Sequence, residues 1–203
     1  MESFFDLARE RYSLRRFSDR EVTEEDLRHV LEVGRLAPTG KNAQPQRILV
    51  LKGVQEMELL STCTPYVFGA PAALVVAYDP RVSWCSADGR NVGQIDASLV
   101  ACHMVLAAQE IGLGSLIVAD FDEHALRDAF EIPDAYEVCL IICLGYAREG
   151  AHPTFRLHDV RLPLEATVSY GSFSKSQDEP ASASVFDAVL QTNTDTIQDS
   201  ELC

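Results

Sequence analysis

Arg11, Ser13 and Arg15 alternate within the run RERYSLRRF. In an extended chain alternate residues project from one face. Two guanidinium forks flanking a hydroxyl suit a phosphate monoester, each charge-assisted bond contributing roughly 1.5–3 kcal/mol. The same residues would also serve as a solvated basic run closing the first helix. A second polar group lies in RLAPTGKNAQPQ, where Thr39, Asn42 and Gln44 supply a hydroxyl and two primary amides. Primary amides both donate and accept, which matches the acceptor–donor–acceptor edge of a heterocyclic ring. Pro38 and Pro45 stiffen this stretch, and Gly40 lets the backbone come close to a ligand. Taken alone, it is equally an ordinary polar turn.

Other chemistries are excluded by counting. A phosphate-cradling loop ending at Gly40-Lys41 would need glycine at 35 and Ser or Thr at 42; the chain has Arg35 and Asn42. It would also follow a strand, whereas this stretch follows a helical pattern. GLGSLI lacks the third glycine of a dinucleotide fingerprint and precedes a strand pattern. Cys102 and His103 are adjacent on a helical pattern, so their side chains diverge and cannot form a dyad. The six cysteines, at 63, 85, 102, 139, 143 and 203, form no C-x-x-C pair and read as reduced thiols of a cytoplasmic protein. No histidine pattern suggests a metal site.

The elements that must position these groups follow from patterning. Ser3 with Asp6 caps a helix over about 4–12, with Phe4, Phe5 and Leu7 available for burial. Thr23 with Asp26 starts a second, along which Leu27, Val30, Leu31 and Gly34 recur at helical spacing. RILVL (47–51), AALVVAY (72–78), SLIV (115–118) and EVCLIICLGY (137–146) read as buried strands, with helices over 54–61 and from Asp122 to Phe130. Residues 92–111 form the longest helical candidate. Ile95, Leu99, Cys102, Leu106 and Gln109 trace one face, yet Val100, Ala101, Met104, Val105, Ala107 and Ala108 cover most of the rest. A helix apolar nearly all round is buried on both sides, and in a chain of 203 residues the second covering layer is another subunit. Alternating strands and helices indicate an α/β or α+β layered domain around a central sheet.

With 47% hydrophobic residues the chain can build a substantial core, and its formal charge of −14 gives no electrostatic reason to bind nucleic acid or an anionic membrane. From residue 174 onward the composition turns acidic and polar, with one basic and six acidic residues. That segment reads as a solvated tail. Val185, Phe186, Val189 and Leu190 are spaced to dock one helical turn or two on the body or a partner subunit.

Four pieces, in order, resemble the nitroreductase family of flavin mononucleotide (FMN) enzymes. They are RYSLRRFSDREVTEEDLRHVLEVGRLAPTGKNAQPQ, GAPAALVVAYD, IDASLVACHMVLAAQEIGLGSLIVADFD and CLIICLGYAREGAHP…HDVRLPLEATVSY. The resemblance spans nearly all of residues 5–173, leaving 174–203 as a separate tail. It implies an α+β fold, a mostly antiparallel sheet flanked by helices, and a domain-swapped type of homodimer with FMN at the subunit interface. It places the run Arg11, Tyr12, Ser13, Arg15 on the flavin, with Arg11 and Ser13 at the phosphate and Arg15 nearer the N1/O2 edge. Arg161 of HDVRLP corresponds to a second phosphate partner. Thr39, Asn42 and Gln44 correspond to a loop reaching the flavin from the other subunit, and Ala119 and Asp120 to backbone lining the ring near N5. The chain departs from the family at Gln46, where an aromatic is common, and at Cys63, where many members carry an amide touching the ring.

The implied activity is ping-pong reduction of nitroaromatic, quinone or related acceptors by NADH or NADPH, with no side-chain nucleophile or metal. Other flavin chemistry, such as reductive dehalogenation or dehydrogenation, and a non-catalytic flavin-binding role remain open at this level.

Overall fold

Side-chain caps at Ser3, Thr23 and Asp122 begin three helices in the computed structural model, which describes residues 3–151, 158 and 161–173. In chain order the elements are α1 (Phe4–Glu10), α2 (Glu24–Arg35), a 3-10 turn (Gly40–Asn42), β1 (Gln46–Lys52), α3 (Val54–Cys63), β2 (Ala72–Tyr78), α4 (Gly93–Glu110), β3 (Gly114–Val118), α5 (Glu123–Phe130), β4 (Glu137–Gly145) and the short α6 (Leu164–Thr167). The Thr23 cap is a full capping box: Asp26 N–H donates to Thr23 Oγ1 at 3.1 Å, and Thr23 N–H donates to Asp26 at 2.9 Å. Helix α1 ends at Glu10, earlier than its pattern suggests, because Arg11 takes up extended backbone and the chain turns into a bridge with β3. Contrary to expectation α1 buries none of its residues; Phe4 and Phe5 are 71% and 72% exposed.

The four strands form one antiparallel sheet in the order β1-β2-β4-β3. Helices cover both faces, which is why β2 and β4 read as continuous apolar runs rather than alternating ones. On one face Ala72, Leu74, Val76, Ile142 and Leu144 pack with Leu27 and Val30 of α2 and the inner face of α4. On the other, Ala73, Val75, Ile141 and Cys143 pack with Met57 and Leu60 of α3 and Leu126 of α5. Leu14 and Phe17 belong to this second cluster, so the segment after α1 is tied to the core by apolar side chains. The architecture is α+β, as the family resemblance implies.

The chain divides into two compact units, Met1–Pro153 and Thr154–Cys203. The elements above, except α6, lie in the first. Among the described residues no helix is long and apolar enough to cross a membrane. The expectations for 174–203 lie outside the described residues.

Candidate functional site

The strip that carries Arg11, Tyr12, Ser13 and Arg15 runs parallel to β3. Ser13 bridges Ser115, and Leu14 N–H donates to the Ser115 carbonyl at 2.9 Å. Leu14, between the polar residues, is buried against Gly114, where a Cβ would lie 2.3 Å from Leu14 Cδ2. The missing side chain at Gly114 therefore seats the strip. Arg11, Tyr12 and Ser13 are half-buried, and burial pushes the Tyr12 phenol above its ordinary pKa. Arg15 is exposed, with no ion-pair partner among the described residues.

Beyond this single bridge the strip crosses to the end of β4, where Phe17 bridges Ala147 and Ser18 N–H donates to the Tyr146 carbonyl at 2.9 Å, whereas the other end of β3 leads into Ala119 and Asp120. Both are exposed. Their backbone is fixed from below by Thr64, a 2%-exposed residue whose hydroxyl donates to the Asp120 carbonyl at 2.8 Å. Cys63 does not reach this surface. It is buried, and its carbonyl accepts from Asp122 N–H at 2.8 Å.

The second polar group sits in a strained turn. Lys41, Asn42 and Gln44 have φ of 54°, 56° and 50°, three left-handed non-glycine residues within four positions. Asparagine tolerates this conformation; for Lys41 and Gln44 such geometry costs about 1–3 kcal/mol each and persists only where the surroundings over-determine it. The surroundings do so. Thr39 Oγ1 accepts from Gln44 N–H at 3.1 Å, and Gly40 N–H donates to Asp96 at 2.9 Å. Arg47 donates to the carbonyls of Pro45 and Gln46 at 3.2 and 2.8 Å. The buried Asp79 donates its N–H to the Pro45 carbonyl at 2.9 Å, and its carboxylate receives Arg81 through two bonds of 2.8 Å. Those bonds hold the Asp79 carboxyl down to about 2. Asn42 and Gln44 emerge exposed, and the Asn42 amide has no partner among the described residues. Gln46 is half-buried, its Oε1 without a partner among the described residues.

These two groups do not meet within one chain. Ser13 is level with Ser115, Leu144, Ala72 and Lys52 in a single row across the sheet. The strained turn instead enters β1 at Gln46, at the far edge and the far end. Four inter-strand steps across and six residues along separate them, about 28 Å in all. The structure thus ties the strip to the start of β3, sets Ala119 and Asp120 at that strand's other end, and leaves Thr39, Asn42 and Gln44 diagonally opposite the strip.

Helix α4 carries the two faces expected of it. Val100, Ala101, Met104, Val105, Ala107 and Ala108 are buried, while Ile95 and Leu99 are 44% and 39% exposed and Cys102 is exposed beside them. Gln94, Ile95, Ser98 and Leu99 line a shallow groove. His103 does not pair with Cys102; its Nδ1 bonds to the Leu99 carbonyl at 2.8 Å. Burial pushes the Cys139 thiol up to about 11 and Cys143 up to about 12, so neither is a nucleophile near neutral pH. Among the described residues no group of His, Cys, Asp or Glu is arranged to hold a metal. Arg161, in the second unit, is exposed and donates to the His158 carbonyl. Sequence reasoning missed Thr64, Asp79 and Asp96, polar residues buried beneath the candidate segments. Their one sequence signal is a polar side chain at the margin of an apolar run.

Comparison with known proteins identifies the family of this fold. The Nitroreductase family model matches residues 8–81 and 62–146. A candidate NADH dehydrogenase/NAD(P)H nitroreductase of Archaeoglobus fulgidus is 30% identical over 158 residues, 73% of this chain and 88% of the relative. A nitroreductase family protein of Clostridium difficile 630 superposes with a TM-score of 0.79 at 38% identity, over 85% of this chain and all of that one. A candidate nitroreductase of Desulfovibrio desulfuricans, solved in complex with FMN, gives 0.69 at 25% identity, over 86% of this chain and all of that one. The chain belongs to the nitroreductase family.

Proposed function

We propose that this protein is an FMN-dependent oxidoreductase that uses NADH or NADPH to reduce small acceptors such as nitroaromatics and quinones, and that it works as a homodimer. The observation that carries the proposal is the division of the candidate residues. A guanidinium-and-hydroxyl strip and a strained amide turn lie about 28 Å apart in one chain, a span no single mononucleotide bridges. A second copy brings the turn to the strip. The apolar face of α4 and the exposed Phe4 and Phe5 supply a surface for that copy to cover. The body over 1–173 is the FMN-binding part in this reading.

The residues present fit FMN. Arg11 and Ser13 match a phosphate monoester, and Tyr12 adds a half-buried ring beside them. Arg15, exposed and without a counter-ion among the described residues, suits an electron-rich ring edge. Asn42 and Gln44 present amides on a turn already fixed in one conformation, so binding orders little that is not ordered before. Ala119 and Asp120 offer backbone that Thr64 holds still. When bound, FMN supplies the two-electron carrier between reductant and acceptor. The chain's part is to grip, orient and set the charge around it, which is consistent with the raised thiols of Cys139 and Cys143. The relatives' names, which include NAD(P)H nitroreductase, support the choice of reductant.

The test is anaerobic. Protein saturated with FMN should lose its visible flavin absorbance on adding NADH or NADPH and regain it with a nitroaromatic or quinone. Steady-state lines for the two substrates should run parallel. A colourless protein that takes up no FMN would overturn the proposal.

A further inference from the structure

Asp96 stands out among the buried polar residues. It is 3% exposed, in the first turn of α4, and its carboxyl makes a single hydrogen bond among the described residues, from Gly40 N–H at 2.9 Å. Its second oxygen is buried without a partner among the described residues, as are Ser83 Oγ and Gln46 Oε1. A carboxyl buried with one hydrogen bond is costly, so its retention calls for a reason. A helix-dipole role is the ordinary one, yet an exposed acid in the same turn would fill it without desolvation. What Asp96 alone contributes is a fixed acceptor under the turn of residues 39–44. Gly40 is pressed against its surroundings there, since a Cβ would lie 2.9 Å from Val92 Cγ2 and 3.3 Å from Trp84 Cβ. The three left-handed residues follow directly.

We propose that Asp96 is a positioning residue for this turn: by holding Gly40 it sets the conformation in which Asn42 and Gln44 meet the flavin. The FMN part of this rests on the function proposed above. The hold on Gly40 does not, because it acts in the flavin-free chain. Asparagine can still accept from Gly40 N–H, whereas alanine cannot.

The experiment compares wild type, Asp96→Asn, Asp96→Ala and Arg11→Ala as full chains. The first readout is tryptic cleavage after the exposed Lys41 without FMN, followed by mass spectrometry. Asp96→Ala should be cut at least about tenfold faster than wild type, with Asp96→Asn and Arg11→Ala close to wild type. The second is FMN titration, where Asp96→Ala should bind about ten- to a hundredfold more weakly and Asp96→Asn should recover most of that loss. Equal cleavage of Asp96→Ala and wild type overturns the proposal, and so does an Asp96→Asn protein that behaves like Asp96→Ala, which would make the charge alone responsible. If Asp96→Ala does not fold, hydrogen exchange of Gly40 N–H in wild type decides: the proposal requires protection, and exchange at the random-coil rate refutes it. Wild type that resists trypsin but takes up no FMN sinks the function reading and leaves the hold on Gly40 standing.

Discussion

Pairing an Arg11→Ala copy with an Asn42→Ala copy separates a site shared between subunits from one contained in a single chain. In a shared site, Arg11 comes from one protomer and Asn42 from its partner. A purified heterodimer then has one site with both lesions and one with neither. Removing a charge-assisted phosphate contact weakens binding by roughly 1.5–3 kcal/mol, and losing a neutral amide contact by roughly 0.5–1.5 kcal/mol. The doubly damaged site therefore binds FMN about 2–4.5 kcal/mol more weakly, or thirtyfold to two-thousandfold. The other site keeps wild-type affinity. Titration followed by flavin fluorescence should be biphasic, with one FMN per dimer bound as in wild type. The basis is the row from Lys52 to Ser13, which puts Arg11 and Asn42 at opposite corners of the sheet. If both heterodimer sites are impaired, each by one lesion, the two residues act within one chain and the diagonal placement has been misjudged.

Other outcomes follow from particular contacts. Gly114→Ala forces a methyl group into Leu14, and should destabilise the fold by about 1–3 kcal/mol in thermal melts while loosening FMN, because Leu14 seats the strip. Thr64→Val removes the donor to the Asp120 carbonyl and the acceptor for Tyr66 N–H, and should cost about 1–3 kcal/mol in urea unfolding. The Asp79 carboxyl is held at about 2 in the folded chain against an ordinary value of 3.8. Its stabilising effect is therefore fully present above about pH 4 and is lost as pH falls toward 2. Tryptic resistance at Lys41 should accordingly be flat from neutrality down to mildly acidic pH, and Asp79→Asn should remove the Asp79 share of any acid-induced loss.

Much of the fold was legible because local rules and tertiary structure agree. Ser3, Thr23 and Asp122 announce helix starts that the backbone adopts, and the two apolar faces of α4 can be read from Val92 to Ile111. The alternation of Arg11, Ser13 and Arg15 signals extended chain, and Ser13 does bridge a strand. Phe4 and Phe5 show the limit. Their apolar character indicates burial without saying by what, and among the described residues both stay exposed. The parallel partner of Ser13 and the strand order depend on contacts far apart in sequence, which periodicity does not encode. The left-handed turn is less legible still: Lys41 and Gln44 have no local preference for that backbone, and the anchors Thr39, Asp96, Arg47 and Asp79 hold it. Those anchors include polar residues in apolar surroundings, where patterning alone assigns no partner.

The most direct measurement is the mass and stoichiometry of the protein titrated with FMN, by light scattering with absorbance. The account predicts a particle of about twice 22.4 kDa that binds one FMN per chain and turns yellow. A particle of single-chain mass that binds FMN just as tightly, or a dimer that binds none, would contradict it.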